Sequence, residues 1–282
     1  MELLSLKLLL FLQIILCSSN TVLPQHVHET LPGLPGKLPN KLETGYIGVG
    51  ENEEAQLFYF FLESESNPEE DPVILWITGG PGCSGLSTLL LELGTIIIDY
   101  ANSKGGRTAL KLNEYGWTKA ANIIFIDQPA GAGYSYTKTL ESSLTNDTTA
   151  ARQTYDFLRK WFINHPKYLE NPLYIFGESY GAEARDKPVL NMKGYGLGNP
   201  ITDTFADVNE KIPYAHRMGL LSDKLYQLAK VNCHGNYVTV DPDNDLCLDA
   251  LEKINQEDNV RLLHTWANDK FVQKALNVRE VY

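Results

Sequence analysis

The continuous apolar run from Val73 to Thr78 (VILWIT) leads straight into a glycine-rich turn, TGGPGCSG, and then into the apolar stretch LSTLLLEL. A run this solid, with no polar alternation, fits a strand covered on both faces, as in the middle of a parallel sheet. Five more segments read as strands: Tyr46 to Val49, Leu57 to Leu62, Asn122 to Asp127 (NIIFID), Leu173 to Phe176 (LYIF) and Met192 to Leu197 (MKGYGL). Between them Ala151, Tyr155, Leu158 and Phe162 recur at the spacing of one helix face. Asp147, Thr148 or Thr149 caps the start of that helix and Pro166 ends it. Leu221 to Val231 and Asp269 to Val278 are also helical in pattern, and Leu31 to Leu42, rich in Pro and Gly, reads as an extended arm on the surface. Strands alternating with amphipathic helices predict an α/β fold with a central, mostly parallel sheet.

Lys and Arg number 24 against 35 Asp and Glu, a net charge of −11. A surface this acidic repels a phosphate backbone, so no nucleic-acid partner is expected. Met1 to Cys17 is a short Leu/Ile/Phe run followed by small and polar residues. It reads as a secretory leader over residues 1–19, ahead of one domain over 20–282, with no membrane contact once the leader is removed. Of the 4 cysteines, removal of Cys17 leaves Cys83, Cys233 and Cys247. Cys233 and Cys247 flank a turn-rich polar stretch and can close it as a local disulfide, which leaves Cys83 alone. Asn146-Asp147-Thr148 is a glycosylation sequon just ahead of the predicted helix.

Gly177-Glu178-Ser179-Tyr180-Gly181 directly follows the strand PLYIF. Strand followed by G-x-S-x-G is the context of a nucleophile elbow, in which the backbone turns sharply enough to stand the Ser179 hydroxyl above the sheet edge. The turn after VILWI can offer backbone N–H groups to a developing oxyanion, which assigns Gly80 and Tyr180 as the two donors. A phosphate cradle is the weaker reading of that turn, because it has no GK[ST] ending and Pro81 removes a donor. This chemistry calls for no cofactor and no metal.

Taken in order, WITGGPGCSG, NIIFIDQPAGAGYSY, YIFGESYG, MKGYGLGNP and WANDKFVQKALNV resemble the serine carboxypeptidase family of α/β-hydrolases, and most of all its plant serine carboxypeptidase-like branch. The resemblance runs from about Leu34 to Arg279. It implies that Ser179 is the nucleophile, with Gly80 and Tyr180 as the oxyanion hole. It also implies that Glu178 shares a proton with the terminal carboxyl of a peptide substrate, and that Cys233 and Cys247 pair. Where the family has an Asn contact to that carboxyl this chain has Thr78, which is similar to acyltransferase members that use glucose esters. The partner implied is therefore a peptide C-terminus or an acyl-glucose-type molecule, met outside the cell or in a vacuole, with the oligomeric state left open.

Parts of the family pattern are missing. A serine nucleophile needs a base and an acid that orients it. His216 and His264 read as ordinary helix residues, and His234 falls in the Cys233–Cys247 loop. Asp203, Asp207, Asp223 and Asp269 read as caps or solvated loop residues. Tyr282 precedes the family segments that carry the catalytic Asp and His. Only Ala182 to Pro188 separates Gly181 from VLNMKGYGL, too little for the helix that follows the elbow in the family. The expectation is an α/β-hydrolase fold truncated at its C-terminus and lacking that helix, with a catalytically inactive product as an alternative to either enzyme reading.

Overall fold

The computed structural model describes residues 25–105, 107–139, 143–179, 191–200, 203–254 and 265–279. The strands in chain order are β1 (His26–His28), β2 (Leu42–Val49), β3 (Ala55–Leu62), β4 (Val73–Ile77), β5 (Ile96–Ile98), β6 (Leu110–Leu112), β7 (Asn122–Ile126), β8 (Tyr136–Thr137), β9 (Leu173–Glu178) and β10 (Met192–Gly198). All six strands predicted from sequence are present. β4, the solid apolar run, is buried along its whole length, as are β3 and β7.

The main sheet has the order β1-β2-β3-β7-β4-β9-β10, with β8 also paired to β3. β7, β4, β9 and β10 run parallel, while β1, β2 and β3 form an antiparallel flank. The sheet is thus mixed, and its parallel part lies where the predicted site residues are. β10 closes the order at one side. It carries glycine at every second position, and a Cβ at Gly196 would stand 2.4 Å from the Phe176 ring of β9. The ring occupies the space that a β10 side chain would need. β5 and β6 form a separate two-stranded sheet that the sequence reading did not anticipate.

The helices are α1 (Gly85–Thr88), continued by a π-turn over Leu89–Leu93, then α2 (Asp147–Asn164), α3 (Thr204–Arg217), α4 (Asp223–Cys233), α5 (Asp245–Ile254) and α6 (Lys270–Ala275). α2 confirms the predicted helix but corrects its cap. The cap is Asn146, whose side chain accepts the Thr149 N–H at 2.9 Å, and not Asp147, Thr148 or Thr149. Asn146 has the extended backbone that a capping position requires, and the residues after it are already helical.

α2 buries Phe157, Leu158, Trp161 and Phe162 against Tyr59, Phe61, Ile124 and Ile126. Full burial of each such side chain is worth about 1.5–3 kcal/mol, so this face anchors the helix to the sheet. The opposite sheet face packs against Leu86, Leu89 and Leu90, and against Trp266, Val272 and Leu276 from the last described segment. That segment also bonds back to the N-terminal region. Thr44 Oγ1 donates to the Leu276 carbonyl at 2.9 Å, Trp266 Nε1 to the Pro32 carbonyl at 3.0 Å, and Tyr134 Oη to the Ala267 carbonyl at 2.8 Å. The Pro- and Gly-rich arm is less superficial than predicted, since Leu31 is buried in the same core.

Cys233 and Cys247 form a disulfide that joins α4 to α5, with Cα atoms 4.9 Å apart. Cys83 is free and exposed. Among the described residues no helix is long and apolar enough to cross a membrane. The leader read over residues 1–19 and the short segment from Ala182 to Pro188 lie outside the described residues.

Candidate active site

The parallel pairing of β4 and β9 sets Ile77 opposite Gly177. The residues that follow, Thr78 and Glu178, therefore leave the carboxyl edge of the sheet side by side, where ligands bind in open α/β sheets. Ser179 comes next, half-buried, with φ at 53°. A non-glycine residue in the left-handed region carries about 1–2 kcal/mol of steric penalty. Such strain is held only where the surroundings impose it. Tyr180 and Gly181 lie outside the described residues.

The second half of the site is the turn after β4. The Cys83 N–H donates to the Gly79 carbonyl at 3.1 Å, closing the turn. Gly80 has φ of 118°, and a Cβ there would stand 2.9 Å from the Cys83 and Gly82 nitrogens. Only glycine fits there. Ser84 then caps α1 by accepting the Leu86 N–H at 3.1 Å.

Asp127, at the end of β7, holds this turn in place. Its Oδ1 accepts from the Ser84 hydroxyl at 2.6 Å and from the Gly85 N–H at 2.8 Å, and its Oδ2 accepts from the Tyr134 N–H at 2.8 Å. Complete burial raises the Asp127 carboxyl to about 6, and the three hydrogen bonds work against that rise. The sequence reading passed over Asp127. The signal it carried was an acid closing an otherwise apolar strand, NIIFID.

Two more residues were missed. The Thr88 hydroxyl lies 3.1 Å from that of Thr78 and donates to Glu178 Oε2 at 3.4 Å, linking the two expected substrate contacts. Glu92, in the π-turn, has its carboxyl raised by burial and then by the neighbouring charge of Glu178. The site thus holds a pair of acids beside a pair of buried threonine hydroxyls.

Among the described residues no imidazole is hydrogen-bonded to Ser179. His216 Nε2 lies 2.7 Å from Asp223 Oδ1, and its ring stacks on Tyr226 at 4.0 Å, which ties α3 to α4. His234 ends α4 in a left-handed conformation. Asp203 and Asp269 cap α3 and α6, as expected of them. His264 lies outside the described residues. His165, buried at the end of α2, packs its Nε2 2.8 Å from Glu43 Oε1.

The serine carboxypeptidase family matches residues 32–282, a span that takes in the turn, the elbow and the last described helix. The chain belongs to the serine carboxypeptidase family. It is 42% identical over 316 residues to serine carboxypeptidase-like 9 of Arabidopsis thaliana, covering 97% of this chain and 72% of that protein. To serine carboxypeptidase-like 13 of the same plant it is 41% identical, covering 92% of this chain and 69% of that protein. Among solved structures it resembles Kex1Δp, a prohormone-processing carboxypeptidase from Saccharomyces cerevisiae. That match has a TM-score of 0.60 at 19% identity and covers 93% of this chain and 69% of the other. The fold is that of an α/β-hydrolase, as the motifs implied.

Proposed function

We propose that Ser179 is the nucleophile of a serine acyl-enzyme, with the backbone N–H groups of Gly80 and Tyr180 as its oxyanion donors. The observation that carries this reading is the left-handed φ of 53° at Ser179, directly after β9 and beside the glycine turn. Attack of Ser179 Oγ on a carbonyl forms the ester bond of the acyl-enzyme. The hydroxyl proton passes to a base and then to the leaving amine or alcohol, and water or another alcohol releases the acyl group. Family membership supports a peptide C-terminus as the donor, so that the reaction frees C-terminal residues, with Glu178 at the substrate's terminal carboxyl.

A second reading, acyl transfer from a glucose ester, is favoured by Thr78 and its contact to Thr88. The leader read over residues 1–19 supports secretion to the extracellular space or a vacuole. The Cys233–Cys247 disulfide and the exposed sequon residue Asn146 suit that route.

Incubation of the purified chain with a fluorophosphonate probe tests the nucleophile. Labelling that disappears in Ser179→Ala is the expected result. A folded, soluble chain that takes no label would overturn the proposal in favour of a non-catalytic product.

A further inference from the structure

A polar cleft of about 400 Å³ lies between the first turns of α2 and the turn that joins β2 to β3. Glu51 and Glu54 line it from the turn, and Thr149, Arg152, Gln153 and Asp156 line it from the helix. Gln153 stands out among them. It is only 7% exposed, its Oε1 is shut off from solvent, and that oxygen has no hydrogen-bond partner among the described residues. A buried amide carbonyl without a donor is costly, so one that persists calls for a partner.

The chain itself can supply that partner. Asn146, Thr149, Gln153, Asp156 and Lys160 fall on one stripe of α2, at the i, i+3, i+7, i+10 and i+14 positions. Lys160 ties one end of the stripe to the β2–β3 region, donating to the Gly48 carbonyl at 2.8 Å and to Glu53 Oε1 at 2.7 Å. Asn146 stands exposed at the other end. Its Oδ1 is held by the Thr149 N–H at 2.9 Å, which fixes the sequon side chain against a residue of the cleft wall.

We propose that this cleft seats the first sugars of an N-linked glycan carried on Asn146, with Gln153 Oε1 accepting a sugar hydroxyl or acetamido N–H. Three carboxylates against one guanidinium suit a neutral ligand rich in donors: sugar hydroxyls donate to Glu51, Glu54 and Asp156, and Arg152 donates to a sugar oxygen. The volume falls in the range of about 300–1,000 Å³ that holds small ligands. No aromatic ring lines the cleft among the described residues, so hydrogen bonds alone would hold a free sugar, and weakly. A sugar tethered at Asn146 meets the cleft at an effective concentration in the millimolar range, which makes a weak site an occupied one. The glycan then joins α2 to the β2–β3 turn. This proposal rests on the reading of Asn146-Asp147-Thr148 as an occupied sequon, and it is independent of whether Ser179 reacts.

The test uses the full chain secreted from a host that adds oligomannose glycans, and an endoglycosidase that cuts between the first two sugars. Cleavage of the unfolded chain first reports whether Asn146 carries a glycan; no change in gel mobility there overturns the sequon reading and this proposal together. Cleavage of the folded chain then reports docking. Gln153→Met keeps the length of the side chain and removes the amide, and it is expected to speed native cleavage about two- to tenfold, the size of one hydrogen bond. An equal rate in a chain that carries the glycan overturns the proposal and leaves the sequon reading standing.

Thermal unfolding supplies a second measurement. In the Asn146→Asp background the Gln153 amide has no partner, so Gln153→Met should leave the midpoint in place or raise it. In the glycosylated chain the same substitution should lower it. A change of the same sign in both backgrounds refutes the proposal.

Discussion

The Ser84 hydroxyl donates to the Asp127 carboxylate across 2.6 Å, so a single acid at the end of β7 holds the start of α1 and the turn before it. Asp127→Asn keeps the shape but sets an amide N–H₂ against one of three donors. The expected loss is about 1–3 kcal/mol in urea unfolding. Burial raises the folded carboxyl from 3.8 to about 6. The stability linked to its neutral form is therefore complete below the unfolded value and disappears as pH rises through about 6, an effect of about 3 kcal/mol. The gap between wild type and Asp127→Asn should be wider at pH 4 than at pH 7. Equal gaps would show that Asp127 does not titrate in this range.

Glu43 behaves in the opposite sense. The Glu43 carboxylate accepts from His165 Nε2 at 2.8 Å, from Tyr59 Oη at 2.7 Å and from Lys41 Nζ at 2.8 Å. Burial alone would raise this carboxyl, but the hydrogen bonds from His165 and Lys41, followed by the His165 charge and the Tyr59 hydrogen bond, bring it from 4.5 down to about 2. Its contribution is present above the unfolded value and is lost as pH falls toward 2. Glu43→Gln should destabilise the chain clearly at pH 6 and hardly at pH 2. His165→Ala, which leaves a buried acid without that partner, should cost about 3–5 kcal/mol at pH 6. Both are read from thermal or urea unfolding.

Gly80→Ala tests the oxyanion turn. The added methyl meets the Gly82 and Cys83 nitrogens at 2.9 Å, and φ of 118° is hostile to alanine. The turn must move, and a Gly80 N–H in the proposed oxyanion role would move with it. The rate of fluorophosphonate labelling should fall by about 10²–10³ with the circular dichroism spectrum kept, the range seen when one oxyanion donor is removed. Labelling at the wild-type rate would exclude Gly80 as a donor.

Asn146 both caps α2 and begins the sequon. Its Oδ1 is taken by the Thr149 N–H, which leaves its amide nitrogen for a glycan. After expression through a secretory pathway, an endoglycosidase should increase the gel mobility of the wild type and leave Asn146→Asp unchanged. Asn146→Asp keeps the cap, so its unfolding should match that of the deglycosylated wild type. Asn146→Ala loses the cap as well and should lose about 1 kcal/mol.

The strands of the sheet were legible because buried parallel strands must be solidly apolar, as VILWI, NIIFI and LYIF are. The elbow was legible because strand, glycine, serine and glycine follow one another along the chain. Thr88, Glu92 and Asp127 were not. Thr88 meets Thr78 only because the chain reverses between β4 and α1. Asp127 meets Ser84 only because β7 lies next to β4. Neither contact leaves a periodicity to read. The α2 cap was misplaced for a local reason, since Asn146, Asp147, Thr148 and Thr149 are all good capping residues and the backbone alone decides among them.

The last described segment covers one face of the sheet, with Trp266, Val272 and Leu276 in its core and Thr44 bonded to the Leu276 carbonyl. A ribosome adds about 5–20 residues each second. Roughly 230 residues separate Thr44 from its partner, so on the order of 10–50 seconds pass before that face can close. Over that interval the newborn chain presents bare aromatic and aliphatic surface to its surroundings. A sheet face that stays open until synthesis is nearly finished is therefore built into the order in which this polypeptide is made.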